Sequence, residues 1–226
     1  MNRSYYAQKL SALRLEQVYA LAGERVRQYL RAEIDHVARG VTPGDCVLEL
    51  GCGSGRVMDS LTEKSGRVWG IDTALESLQL YRRRCPCAAL AAMDAGRLAF
   101  KAQRFDLIVG IQNFISACKV PPQQLLLESL KAARPGGRIL LSSYADQFWP
   151  HRLAWFRQQA AAGLLGPLDE TATGDGVIVC KDGFRATTFS RKAFLDLASA
   201  CRVPAQVYTV DDSSVFCEIR VPKRMG

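Results

Sequence analysis

Three glycines alternate through VLELGCGSGRV, residues 47–57. Gly51, Gly53 and Gly55 carry no Cβ, so a ligand can approach the backbone closely there. An apolar run leads into them, and one charge, Glu49, lies inside that run. A carboxylate among apolar residues is costly to bury uncompensated. A cationic ligand, or an ordered water held beside one, would compensate it. Two more acids follow. Asp72 ends a second apolar stretch, where an acid can accept both hydroxyls of a ribose. Asp94, between Met93 and Ala95, follows a third such stretch, where it could meet an adenine amino group.

Missing residues narrow the chemistry. A dinucleotide fingerprint, GxGxxG, requires glycine where this chain has Arg56. A triphosphate loop requires Gly-Lys followed by Ser or Thr, and that is absent. Each acid also has a plainer reading: Glu49 as a structural acid, Asp72 as a helix N-terminal acid and Asp94 as a loop acid.

The elements that must position these residues alternate in type. Two helices are expected at 5–22 and 24–39, with Gly23 interrupting and Gly40 capping. Strands follow at 46–50, 67–71, 88–93, 105–111 and 138–144. Helices are expected between them at 56–64, 74–84 and from Pro121-Pro122 to Ala133. Thr73 with Glu76 reads as a capping box. Pro135-Gly136-Gly137 reads as a turn into the fifth strand. Alternation of this kind implies a parallel sheet covered by helices on both faces. The rhythm breaks at 145–190, where one helix and a hairpin turning at Asp182-Gly183 are expected. It resumes with a helix at 191–201, capped by Ser190. Two strands at 205–210 and 214–221 flank Asp211-Asp212, and so short a link makes them antiparallel.

Composition sets the frame. The chain has 226 residues, 48% hydrophobic and 23% charged, which suits one large domain or one domain with an insertion. No apolar run is long enough to cross a membrane. The first residues are too polar for a signal peptide, so a cytoplasmic location is expected. Eight cysteines are scattered without a CxxC pair, so no metal site is expected and the thiols should be reduced. Net charge is +8, but the basic residues are spread out. The tightest cluster, Arg82 to Arg84, closes a helix, where cations complement the dipole.

The motifs together resemble class I S-adenosylmethionine-dependent methyltransferases. The matching segments are VLELGCGSG (47–55), WGID (69–72), AAMDA (91–95), FDLIVGIQNF (105–114) and RPGGRILLSS (134–143). Their order and spacing agree over residues 40–144. The resemblance implies a Rossmann-like, doubly wound α/β fold. Its seven-stranded sheet has the order 3-2-1-4-5-7-6 with the last strand antiparallel. It also implies S-adenosylmethionine as cofactor. Gly51 and Gly53 would lie against the methionine portion, with Glu49 at its amino end. Asp72, with Thr73 beside it, would hold the ribose. Asp94, with Met93 and Ala95, would hold the adenine. Gln112 would face the methionine end and Asn113 the acceptor, although capping or loop polarity also explains both.

The cofactor brings the reactive methyl, and the protein binds and orients. Asn/Asp-Pro-Pro-Tyr, common in amino methyltransferases of nucleic acid and protein, is missing, and IQNF stands in its place. The Pro-Cys motif for cytosine C5 is missing too. The pattern is most similar to small-molecule methyltransferases. An RNA or protein methyltransferase, and a non-catalytic S-adenosylmethionine-binding protein, are the alternatives. No membrane partner is expected. Residues 1–40 read as a helical lid, 41–144 with 190–226 as the core, and 145–189 as a substrate cap. Tyr5, Tyr6, Trp149 and Arg185 are candidate acceptor contacts. Tyr144 and His151 are candidate catalytic groups. Helix packing for the two N-terminal tyrosines, and a structural role for His151, are the plainer readings.

Overall fold

The glycine stretch links the first strand of a seven-stranded sheet to the helix after it. A computed structural model describes Tyr5 and residues 11–223. In chain order the N-terminal helices are α1 (Ala12–Ala20) and α2 (Glu24–Arg39). The first half of the core contains β1 (Val47–Leu50), α3 (Arg56–Thr62), β2 (Val68–Asp72), α4 (Leu75–Arg84) and β3 (Ala89–Ala92). The second half contains β4 (Phe105–Gly110), α5 (Phe114–Ala117), α6 (Pro122–Ala132) and β5 (Ala133–Tyr144). The insertion holds α7 (Trp149–Ala161), β6 (Val177–Val179) and β7 (Arg185–Thr187). The chain closes with α8 (Arg191–Ala200), β8 (Ala205–Val210) and β9 (Ser214–Arg220).

The sheet order is β3-β2-β1-β4-β5-β9-β8. Neighbours through β5 pair in parallel, and β9 pairs antiparallel with both β5 and β8. This is the expected order, with the two closing strands taking the sixth and seventh places.

Every residue of β1 and β4 is buried, as both-face coverage requires. Successive side chains point to opposite faces. Leu48, Leu50 and Ile108 join Leu125 and Phe194 on one face. Val47, Leu107 and Val109 join Val37, Met58 and Leu61 on the other. A third cluster lies off the sheet. There Val18, Val26 and Tyr29 from α1 and α2 pack against Tyr144, Trp155, Phe156 and Phe184. Trp155 donates its indole N–H to the Val18 carbonyl at 3.1 Å. The insertion and the N-terminal helices therefore share one apolar core.

Local details differ from the sequence-based expectations. The Thr73–Glu76 capping box does not form: α4 starts after Ala74, and its N–H is held by Asp72 Oδ1 at 2.7 Å. Gly40 ends α2 in a right-handed conformation, at φ −87°. A Cβ on Gly40 would meet the Arg138 guanidinium at 3.2 Å, so its small size matters and its conformational freedom does not. β5 begins at Ala133, directly after α6, because the Gly136-Gly137 kink lies within the strand as a register shift. Helix α2 also faces both ways: Ile34 and Val37 pack toward the sheet, while Val26 and Leu30 pack toward the insertion. Asp211 and Asp212 both adopt left-handed φ, of 54° and 50°, in the turn between β8 and β9.

All eight cysteines are free thiols. Among the described residues, no three His, Cys, Asp or Glu side chains converge on a metal site, and no helix is long and apolar enough to cross a membrane.

Candidate functional site

The glycine turn is held by the strand beside it. The N–H groups of Gly51 and Cys52 donate to the Ile71 carbonyl at 2.8 and 2.9 Å, and Gly53 N–H donates to Asp72 Oδ2 at 2.9 Å. Asp72 therefore spans two turns, with one oxygen on the glycine loop and the other on the start of α4. Burial pushes its pKa up, against the backbone N–H groups that favour its charged form.

The three glycines have different jobs. A Cβ on Gly51 would fall 2.3 Å from the Phe114 ring, and one on Gly55 2.2 Å from the Tyr81 ring. Those two are bare so that the protein's own aromatic rings can pack. Gly53, at φ +52°, would meet only Leu15 of α1, at 3.6 Å. Its missing side chain leaves room for a ligand.

A cavity of about 490 Å³ lies between this turn and α1, a volume typical of small-molecule sites. One wall carries Gly51, Gly53, Asp72 and Thr73, continuing through Met93, Asp94 and Ala95. Asp94 is set by its Oδ1, which accepts the Gly96 N–H at 2.8 Å. Leu15, Tyr19, Tyr29, Tyr144, Trp155 and Phe156 add an aromatic and apolar lining. Gln112 also lines the cavity.

Behind the cavity lies a polar floor. Gln112 has a left-handed φ of 58°, and its N–H is shared between Glu33 Oε2 at 2.7 Å and Ser142 Oγ at 2.9 Å. Its side-chain oxygen accepts from Arg56, which fixes the amide orientation. The Arg56 guanidinium also covers the Tyr19 ring, 4.3 Å from its centre. Four buried atoms of this floor lack a hydrogen-bond partner: Glu33 Oε1, Glu49 Oε2, Arg56 Nε and Gln112 Nε2. Buried polar atoms are rarely left unpaired, so a cluster of them points to a missing ligand or water.

Glu49 is buried behind the glycine loop and does not line the cavity. Desolvation pushes its pKa up to about 8, opposed mainly by the nearby Arg56 charge. Part of its compensation is thus a cation of the chain itself. Glu33 is also fully buried, and desolvation raises its pKa to about 7, against the nearby Ser214 and Ser142 hydroxyls and the hydrogen bond from the Gln112 N–H.

Several expected contacts lie elsewhere. Asn113 donates to the Thr187 carbonyl at 3.0 Å and accepts from Ser143 Oγ at 2.7 Å. Its side chain ties the insertion to β5 and does not line the cavity. His151 is exposed on α7, with its ring 5.6 Å from that of Phe148. Arg185 is exposed on β7. Trp149 borders a second cavity, of about 390 Å³, together with Arg152 and the far side of Tyr144. Tyr5 donates to Asp182 and packs edge-on to Phe184, at 5.0 Å between ring centres. Tyr6 lies outside the described residues. Among the described residues of this group, Tyr144 alone lines the main cavity.

Tyr19, Tyr29, Glu33 and Arg56 were not singled out as ligand contacts from the sequence. A signal existed for Glu33, which falls on the same stripe of α2 as Val26, Tyr29, Leu30 and Val37, all buried. A carboxylate in an apolar stripe marks a special environment.

A family model described as a methyltransferase domain matches residues 47–137. The demethylmenaquinone methyltransferase of Beutenbergia cavernae is 32% identical over 126 residues, covering 54% of this chain and 50% of that protein. The chain thus spans about half the length of this curated relative. Among solved structures, an S-adenosylmethionine-dependent methyltransferase of Methanosarcina mazei aligns with a TM-score of 0.62 at 20% identity, covering 83% of this chain and 97% of the other. A Thermotoga maritima protein, described as a possible histamine N-methyltransferase, aligns at 0.64 with 14% identity, covering 95% and 97%. At those identities the likeness establishes the fold.

Proposed function

Because the chain carries a class I S-adenosylmethionine-dependent methyltransferase domain, we propose that it transfers the methyl group of S-adenosylmethionine directly to a small molecule. The observation that carries this reading is the cavity lining. Glycines, acids and aromatic rings line one cavity of about 490 Å³.

The residues fit the cofactor. Gly53 leaves space beside the loop. The unpaired oxygen of Glu49 and nitrogen of Gln112 suit the amino and carboxylate groups of its methionine end, directly or through water. Asp72 has lone pairs beyond the two it uses on the backbone, and these suit the ribose hydroxyls. Met93, Asp94 and Ala95 suit the adenine. When bound, the cofactor supplies an electrophilic methyl. The chain supplies alignment, exclusion of water and a shaped pocket for the acceptor.

The acceptor side draws on the two pieces outside the sheet. Helix α1 acts as a lid and α7 as the cap beside it. A pocket lined by aromatic rings suits a small, largely apolar acceptor. The name of the Beutenbergia cavernae relative, a methyltransferase of a quinone, agrees with that.

Calorimetry and turnover test this reading. S-adenosylhomocysteine should bind with one site per chain, and turnover should appear within a panel of small aromatic acceptors. Salt-dependent RNA binding together with methylated RNA would overturn the small-molecule assignment.

A further inference from the structure

Two polar groups of the main cavity do nothing for the fold. Gln159 stands on α7, one turn after Trp155 and Phe156, so the three share a face of the helix. All three line the cavity. Gln159 is 2% exposed. Its backbone carbonyl closes the helix end by accepting from the Leu164 N–H at 2.9 Å, which a residue of any type could do. Its side-chain nitrogen has no hydrogen-bond partner among the described residues. Tyr29 comes from α2 and also lines the cavity, at 0% exposure. Its ring packs against those of Tyr144 and Phe148, with centres 5.2 and 4.9 Å away, and a phenylalanine would pack equally well. Its hydroxyl also lacks a hydrogen-bond partner among the described residues.

A buried amide or hydroxyl without a partner lowers stability, and an apolar side chain of the same shape would not. A ligand that hydrogen-bonds to these groups would offset that cost. Both stand on elements outside the sheet, apart from the strand-end loops that suit the cofactor. An amide N–H donates, and a hydroxyl donates or accepts, so an oxygen on the ligand can satisfy them. We propose that Gln159 and Tyr29 form a polar subsite of the acceptor pocket. The acceptor is an aromatic compound that carries a hydrogen-bonding oxygen besides the atom that receives the methyl group. The proposal rests on the methyltransferase reading. Trp155 and Phe156 supply apolar contact for the ring, while Gln159 donates to the oxygen and Tyr29 hydrogen-bonds with the same end of the molecule. The pair selects and orients the acceptor and takes no part in moving its proton. A site built this way rejects an analogue that lacks the oxygen, because the amide would again be left unpaired.

Gln159→Met and Tyr29→Phe keep the shape of each side chain and remove its polar atom. By chemical denaturation both variants should be at least as stable as wild type. By calorimetry both should bind S-adenosylhomocysteine with unchanged affinity. The full chain saturated with S-adenosylhomocysteine is then titrated with hydroquinone, resorcinol and catechol. Each is compared with 4-, 3- or 2-methylphenol, in which a methyl group replaces the second oxygen. At least one dihydroxybenzene should bind wild type about tenfold more tightly than its methyl counterpart, the scale of one hydrogen bond. Gln159→Met should lose that preference while keeping its affinity for the methylphenol, and Tyr29→Phe should reduce it. Equal affinities within every pair, or a preference that survives in Gln159→Met, would overturn the subsite. Lower stability of Gln159→Met would overturn it too, by showing that the amide serves the fold. Weaker S-adenosylhomocysteine binding by that variant would do the same, by placing the amide on the cofactor. If wild type binds no S-adenosylhomocysteine, the methyltransferase reading itself fails, and the subsite with it.

Discussion

The Arg56 guanidinium lies 4.3 Å from the centre of the Tyr19 ring, so the residue that follows the glycine loop holds the helix that covers it. The same guanidinium binds Gln112 and stands near Glu49. One side chain thus joins α1, the glycine loop and the cavity floor. A cation–π contact of this kind contributes about 0.5–2 kcal/mol. Tyr19→Leu should leave the fold intact and speed S-adenosylhomocysteine release several-fold, measured by stopped-flow fluorescence. An unchanged release rate would mean that α1 does not gate the cavity.

Asp72 serves the loop, helix α4 and, in this account, the ribose. Asp72→Ala should weaken S-adenosylmethionine at least tenfold by calorimetry, the scale of hydrogen bonds to a charged group. It should also cost about 1 kcal/mol of stability through the lost hydrogen bonds from the Gly53 and Ala74 N–H groups, seen by chemical denaturation.

The glycines separate binding from folding. Gly55→Ala would drive a methyl into the Tyr81 ring and should lower the melting temperature. Gly53→Ala meets no such obstacle beyond the strain of its left-handed φ, about 1 kcal/mol. It should reduce cofactor affinity far more than it reduces stability. Equal binding by both variants would contradict the assignment of Gly53 to the ligand.

Glu33 and Glu49 give a pH dependence with a definite sign. Both have folded pKa values, about 7 and about 8, above the ordinary 4.5. In that window the folded chain holds more protons than the unfolded one, so these two groups lower stability as pH rises. Their contribution is most favourable below 4.5 and is lost by about 8. Glu33→Gln should therefore flatten the fall in melting temperature between these limits. A parallel profile would show that Glu33 does not titrate there.

Glu49 also links protons to binding. At neutral pH it is largely protonated without ligand. A cationic amino group beside it should ionise it and release a proton. Calorimetric heats for S-adenosylhomocysteine should then depend on the ionisation enthalpy of the buffer, and should depend on it less in Glu49→Gln.

The sheet was legible because its signals are local. VLELGCGSG, WGID and FDLIVGI each carry an apolar run and a turn within a few residues. Asp72 and Asp94 could be placed on the cavity wall because each directly follows a strand. Roles that depend on packing were not legible. Nothing near Gly51 in sequence announces that Phe114 fills its missing side chain. Asn113 follows β4 as a ligand contact might, yet Thr187 and Ser143, both distant in sequence, take up its side chain. His151 drew notice as one of two histidines, but the helix turn that buries Arg152 and Trp155 leaves it outside. Tyr29 and Glu33 meet the cavity floor only because α2 folds back against β5 and β9.

The most direct test of the central claim follows the methyl group itself. The full chain is incubated with methyl-labelled S-adenosylmethionine and a metabolite extract containing RNA and protein. The predicted result is label in the small-molecule fraction, with an equal yield of S-adenosylhomocysteine. Label confined to RNA or protein, or bound cofactor that yields no S-adenosylhomocysteine, would contradict it.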